Sequence, residues 1–229
     1  MQLDALKWLE DIRRAAAQAL EFVARGLDVE HNRLHRSAAE RVLEQIGMAL
    51  ARLGAIQSDT AACLPHAGFF ADLGLKLSRI KPPVSPAILR EALGRLPELH
   101  SAARDLLARF GPAAVREAGQ APRPPGQPNA LVTSKDRELA DLCRRYGVAR
   151  LELFGSATTS AFDPQRSDLD FLVEFLPDER AAGGGDYFGL LSELERLFGC
   201  RVDLVEPRGI DNPYFRIAVE RQRMLLYAA

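Results

Sequence analysis

Residues 153–175 read LFGSATTSAFDPQRSDLDFLVEF. The run leading into it, VARLELF (148–154), has the composition of a strand, and so does DLDFLVEF (168–175). Side chains alternate along a strand. Asp168 and Asp170 therefore point to one face, while Leu169, Phe171 and Val173 point to the other. That split suits a strand buried on one side. Two carboxylates this close repel each other unless a cation lies between them, and an all-oxygen donor set favours Mg2+ or Mn2+.

A third acid, Asp203, lies in RVDLVE (201–206), which reads as a third strand. If these strands are neighbours, Asp168, Asp170 and Asp203 meet at one edge as candidate metal ligands. Two-metal phosphoryl or nucleotidyl transfer needs such an arrangement, with metals about 4 Å apart. Gly155-Ser156 follows the first strand and precedes an expected short helical turn. A glycine there lets backbone N–H groups approach a phosphate, and Ser156 adds a hydroxyl donor. Taken singly, Gly-Ser is a common dipeptide, and an aspartate at a strand end is ordinarily solvated. The order is what carries chemistry: strand, Gly-Ser, eleven residues, Asp-x-Asp, strand, then a lone Asp on a later strand.

The rest of 131–229 fits a small sheet covered by helices. A helix is expected from Thr133 or Ser134 to near Gly147, with Asp136 completing a capping box if Thr133 is the cap. PDERAAGGGD (177–186) reads as a turn or loop; its Gly183-Gly184-Gly185 run lacks the Lys-Ser/Thr of a phosphate-binding loop. Tyr187–Phe198 is amphipathic, and Pro213 opens a final helix carrying Arg216, Arg221 and Arg223. The order α-β-β-α-β-α gives an α+β or α/β domain with a small sheet. Lys135, Arg144, Arg145 and Arg216 are all open choices for a phosphate contact.

Residues 1–110 have a different period. Leu3, Leu6, Leu9, Ile12, Ala16, Leu20 and Val23 recur at helical spacing, and Gly26 offers a stop. A second helix runs from about Asn32 to Leu53, ended by Gly54. A looser stretch follows with Pro65, Gly68 and Gly74, then Pro82, Pro83 and Pro86. A short helix around Ile88–Leu96 is separated by Pro97 from a last one, Glu98 to about Phe110. The simplest packing is an antiparallel bundle of four or five helices. GPAAVREAGQAPRPPGQPNA (111–130) reads as a linker. The expected organisation is thus α+β in two domains: a helical bundle at 1–110, a linker at 111–130 and the α/β domain at 131–229.

The whole chain has 229 residues, 47% of them apolar, and a net charge of −1, so no strong overall charge steers it to nucleic acid or membrane. No apolar run reaches the ~18 residues of a membrane span, and the start MQLDALKWLEDIRR, acidic early and without a continuous apolar stretch, is not expected to act as a secretory signal. The three cysteines, Cys63, Cys143 and Cys200, have no zinc or redox spacing. A cytoplasmic protein without membrane contact is expected.

Residues 148–229 resemble the minimal nucleotidyltransferase (MNT) family of the polymerase-β-like superfamily. The resemblance rests on LFGSA, SDLDFLVEF, VDLV and the ending NPYFRIAVERQRMLLYA. It implies a nucleotidyltransferase-fold α/β domain with a small mixed sheet, and nucleotidyl transfer from an NTP, usually ATP. Gly155 and Ser156 would hold phosphates, and Asp168, Asp170 and Asp203 would hold metal, with Asp203 also serving the proton transfer. The family spacing from Gly-Ser to Asp is commonly ten residues; here it is eleven.

The helical half resembles the HEPN toxins of HEPN–MNT toxin–antitoxin pairs, through LEDIRRAAAQALEFV (9–23), RSAAERVLEQIGMAL (36–50) and LPEL (96–99). HEPN ribonucleases carry Arg-Asn followed by His. At the matching stretch this chain reads KLSRIK (76–81), so Lys76, Leu77 and Lys81 replace those residues and ribonuclease activity is not expected. The pairs Arg25/His31 and Arg95/His100 match the spacing only by chance, and His35 and His66 need no role. MNT antitoxins of this type add AMP to a toxin tyrosine, and all four tyrosines here lie at or after Tyr146. The resemblance therefore implies an AMP-transferring antitoxin acting on a separate HEPN toxin or other protein, with a homodimer expected. A contact inhibitor that only binds nucleotide, an RNA acceptor, and a small-molecule transferase of the aminoglycoside-modifying kind remain alternatives.

Overall fold

A computed structural model describes residues 3–78, 84–120, 129–159, 162, 167–177 and 186–229. The chain divides into two compact units, residues 1–120 and 121–229. Among the described residues no helix is long and apolar enough to cross a membrane.

The first unit is all helix: α1 (Leu3–Ala24), α2 (Arg33–Ile56), α3 (Ser58–Ala62), α4 (Ala67–Ser78) and α5 (Pro86–Gln120). The apolar stripe read from α1 is its buried face, with Leu6, Leu9, Ile12 and Ala16 inaccessible to solvent. Asn32 caps α2, its Oδ1 accepting from the N–H groups of Leu34 and His35 at 3.0 and 3.2 Å. Helix α1 packs on α5 and α2, and α2 packs on α4.

Several expectations change here. Gly54 does not end α2, which runs on to Ile56, and the stretch read as loose forms α3 and α4. The reason lies in Gly74 and Gly47. A Cβ on Gly47 would stand 2.5 Å from Gly74 Cα, so the two glycines let the α2 and α4 backbones touch. Pro97 does not divide two helices, and the linker does not begin at Gly111. Helix α5 is continuous through Pro97 and Pro112 to Gln120, so helix occupies the first ten residues of the stretch 111–130. A proline inside a helix removes one N–H bond at a cost of about 3 kcal/mol. The unbroken buried row Leu89, Ala92, Leu96, Leu99, Ala103, Leu107 and Ala114 supplies the compensating packing. Residues 121–128 of that stretch lie outside the described residues, as do Lys81, Pro82, Pro83 and the triple glycine, while Asn129 and Ala130 already belong to the start of the second unit's first helix.

The second unit runs α6 (Ala130–Thr133), α7 (Asp136–Arg145), β1 (Val148–Phe154), a 3-10 turn at Gly155–Thr158, β2 (Leu169–Phe175), α8 (Tyr187–Phe198), β3 (Val202–Val205), α9 (Pro213–Gln222) and β4 (Met224–Ala228). Thr133 is not a helix cap. Asn129 caps the short α6 through Leu131 N–H, and the Thr133 hydroxyl donates back to Ala130 O at 3.3 Å. The strand β4 was not expected. Arg223 ends α9 in extended conformation, and MLLYA pairs with β1.

The mixed sheet has the order β3-β2-β1-β4, with β2 and β3 parallel and the other pairs antiparallel. One face packs under α7 and α8: Leu151, Leu153, Leu169, Phe171 and Val173 join Leu139, Leu142, Leu190, Leu194 and Phe198. The other face carries a smaller cluster of Phe154, Leu172, Ile210 and Val219, flanked by Val205 of β3 and Phe215 of α9.

Candidate active site

The parallel pairing of β2 with β3 sets the site. Asp170 and Asp203 are direct register partners on adjacent strands, and Leu169 N–H donates to Arg201 O at 3.0 Å. Neighbouring strands lie about 4.8 Å apart, so the two carboxylates leave the backbone side by side. Across β2's other edge, Asp170 is the partner of Phe154, the residue before Gly155. Leu169, Phe171 and Val173 are fully buried on the α7–α8 side, opposite the acids.

Gly155 has φ +73°, a backbone conformation that favours glycine. A Cβ there would meet Asp170 Oδ2 at 2.2 Å and Cγ at 3.0 Å. The turn it opens is tied by Thr158 Oγ1 donating to Gly155 O at 2.8 Å and by Thr159 N–H donating to Ser156 O at 3.0 Å. Gly155 and Ser156 are both partly exposed beside Asp170.

Asp168 is half-buried just before β2, with Arg201 Nε 3.7 Å from its Oδ1. Asp203 is exposed. Among the described residues no three His, Cys, Asp or Glu side chains are gathered into a ready metal-holding group. Asp170 and Asp203 are brought together by strand register, whereas Asp168 lies before β2 beside Arg201. The donor chemistry and strand placement suit a hard divalent cation.

The cationic candidates separate. Lys135 donates to Leu197 O, Arg144 pairs with Asp141, and Arg145 stands 3.9 Å from Glu193. All three belong to the α7–α8 side. Arg216 donates to Ile210 O at 2.6 Å. In the helical unit, Arg25 pairs with Glu21 and His31 with Asp28, while Arg95 lies over the Phe69 ring and pairs with Glu91. Burial, then Arg13 and Arg104, lower the His100 pKa.

Two residues near the acids were not singled out from the sequence. Tyr187 donates its hydroxyl to Leu204 O, next to Asp203, and burial with Glu206 and Asp203 raises its pKa. Glu152 is a buried carboxylate on β1. The available signal for it was the opposite-charge pair Arg150 and Glu152, two apart on one face of the strand VARLELF.

With this geometry in hand, the chain belongs to the nucleotidyltransferase domain family, which matches residues 136–226, from α7 into β4. Two proteins of Methanocaldococcus jannaschii, each named as a proposed protein adenylyltransferase, are similar to it. One is 33% identical over 76 residues, covering 33% of this chain and 74% of the relative. The other is 36% identical over 81 residues, covering 34% and 76%.

Proposed function

We propose that residues 131–229 transfer AMP from ATP to a hydroxyl on a protein acceptor. The observation that carries this reading is the register pairing of Asp170 with Asp203, with Gly155 packed on the Asp170 carboxylate. The acceptor oxygen would attack the α-phosphorus, the bond from that phosphorus to the bridging oxygen would break, and pyrophosphate would leave. Asp203 would take up or orient the acceptor's proton. The N–H groups of the Gly155–Thr158 turn and the Ser156 hydroxyl would bind phosphate oxygens. Asp168, Asp170 and Asp203 would hold Mg2+ or Mn2+, which supplies Lewis-acid stabilisation of the charge on the transferring phosphate.

The names of the two archaeal relatives support a protein acceptor. With no tyrosine before Tyr146, the helical unit would recruit a partner rather than receive AMP on a tyrosine of its own. We propose that this partner is a HEPN-type toxin, that the chain is its antitoxin, and that two copies pair through the helical unit. The testing experiment is label transfer from α-32P-ATP with Mg2+, by the protein alone and with lysate or a co-encoded toxin. The control is Asp168→Asn with Asp170→Asn. Label moved to a protein and lost in the control supports the reading. Nucleotide binding without transfer would replace it with a contact inhibitor.

A further inference from the structure

The acid-bearing face of the sheet holds one group that the transfer reaction leaves unexplained. Glu152, in the centre of β1, has a side chain only 4% exposed. A buried carboxylate is costly unless it is fully paired. Here both oxygens are taken, each by a different arginine. Arg150 Nη2 lies 2.7 Å from Oε1, and Arg223 Nη1 lies 3.1 Å from Oε2.

Arg150 is a neighbour on the same strand, but Arg223 comes from 71 residues further on. It is the residue that closes α9 and turns the chain into β4. The β1–β4 pairing is irregular at the same place. Leu151 pairs with Tyr227 but Glu152 with Leu225, so Leu226 is an extra residue on β4. A bulge of this kind re-aims side chains and bends the strand. It lets Leu226 and Tyr227 both pack on the α7–α8 side.

Helix α9 lies on the acid-bearing face. Its Val219, with Ile210, packs on Phe154 and Leu172. The Phe215 and Phe154 rings meet edge to face, with centroids 5.8 Å apart. Phe154 precedes Gly155 and pairs with Asp170. A continuous chain of contacts thus runs from Glu152 through Arg223 and α9 to Phe215, Phe154 and the Gly155–Asp170 contact.

We propose that Glu152 is a positioning residue for the transfer site: its ion pair with Arg223 latches the end of α9 to β1, which keeps α9 against Phe154 and fixes where the Gly155 turn meets Asp170. The functional half of this statement rests on the transferase reading. Glu152 itself pairs with Leu172, two residues along β2 from Asp170, and acts only through Arg223 and α9.

The test uses the full chain with Glu152→Gln and Arg223→Gln, singly and together; Glu152→Asp is a second variant should Gln prevent folding. Hydrogen exchange reads the latch and steady-state label transfer reads the site. The expected result is faster exchange in residues 213–222 and a KM for ATP raised about fivefold or more, with kcat within about twofold. The double variant should be no worse than Glu152→Gln alone, because Arg223→Gln removes only a contact that Glu152→Gln has already removed. Unchanged exchange in α9 overturns the latch, and faster exchange with unchanged KM overturns the positioning role. A wild-type protein that neither binds nor transfers nucleotide overturns the transferase reading and with it the positioning role. The exchange data would then still decide whether the latch exists.

Discussion

The Cα of Gly155 faces the carboxylate of Asp170 so closely that a Cβ would stand 2.2 Å from Oδ2. Gly155 also has φ +73°. The two constraints coincide, so Gly155→Ala must either push Asp170 aside or unwind the turn. The backbone strain costs about 1–3 kcal/mol. Displacement of the carboxylate should lower label transfer at least 100-fold, about 2.7 kcal/mol in barrier. Thermal melting and α-32P-ATP transfer measure the two effects separately. Transfer within tenfold of wild type would show that Asp170 is not held by this contact.

Asp170 and Asp203 are register partners on parallel strands. Like charges directly opposite in a sheet destabilise it, by an amount on the order of 0.5 kcal/mol. Asp170→Asn and Asp203→Asn should each abolish transfer, and Asp203→Asn should leave the metal-free protein as stable as wild type or slightly more so. Millimolar Mg2+ or Mn2+ should raise the wild-type Tm and leave the Asn variants unmoved. Melting with and without the cation is the check. Equal shifts in wild type and variants would remove these acids from the metal site.

The Cys143 thiol is fully buried under β1, and burial pushes its pKa up to about 12. Its folded pKa lies above the unfolded value, so the folded state keeps a proton that the unfolded chain releases. This contribution to stability is complete below about pH 9 and is lost as pH rises towards 12. Urea unfolding from pH 8 to 11 should show a steeper loss of stability in wild type than in Cys143→Ala. In the folded protein an alkylating reagent should reach the exposed Cys63 and leave Cys143 untouched. Identical alkaline slopes in the two proteins would contradict the assignment.

Periodicity was most informative where burial alternates cleanly. The strand 148–154 and the helix 187–198 have the bounds their patterns suggested, because one face of each meets the core. The face from which Asp170 and Asp203 leave was legible for the same reason, through Asp-x-Asp and Val-Asp-Leu, but that β2 and β3 are neighbours is supplied by the fold. What the sequence obscured depends on distant partners. Pro97 and Gly74 look like breakers until α1 and α2 are packed against their helices. Strand β4 reads as more helix until β1 offers it an edge, and Glu152 looks like a stray charge until Arg223 arrives from 71 residues away. Lys135, Arg144 and Arg145 were plausible phosphate ligands until the fold put their helix on the opposite face from the acids.

The Gly47–Gly74 crossing offers a test of the helical unit independent of any chemistry. A Cβ on Gly74 would stand 2.6 Å from Gly47 Cα, and one on Gly47 would stand 2.4 Å from Phe70 O. Both obstacles are backbone and cannot rotate away. Alanine gains about 1 kcal/mol of helix propensity over glycine. Overpacking costs about 1–3 kcal/mol and more where backbones must separate. The clash should win, so Gly74→Ala and Gly47→Ala should each destabilise the unit by about 2 kcal/mol. Gly94→Ala, where a Cβ meets nothing within 4 Å, should be neutral or stabilising. Urea unfolding followed through Trp8 fluorescence reports on this unit. The double variant should cost less than the sum of the singles, since the first alanine already parts the helices. Stabilisation by Gly74→Ala would mean that α2 and α4 do not cross at these glycines.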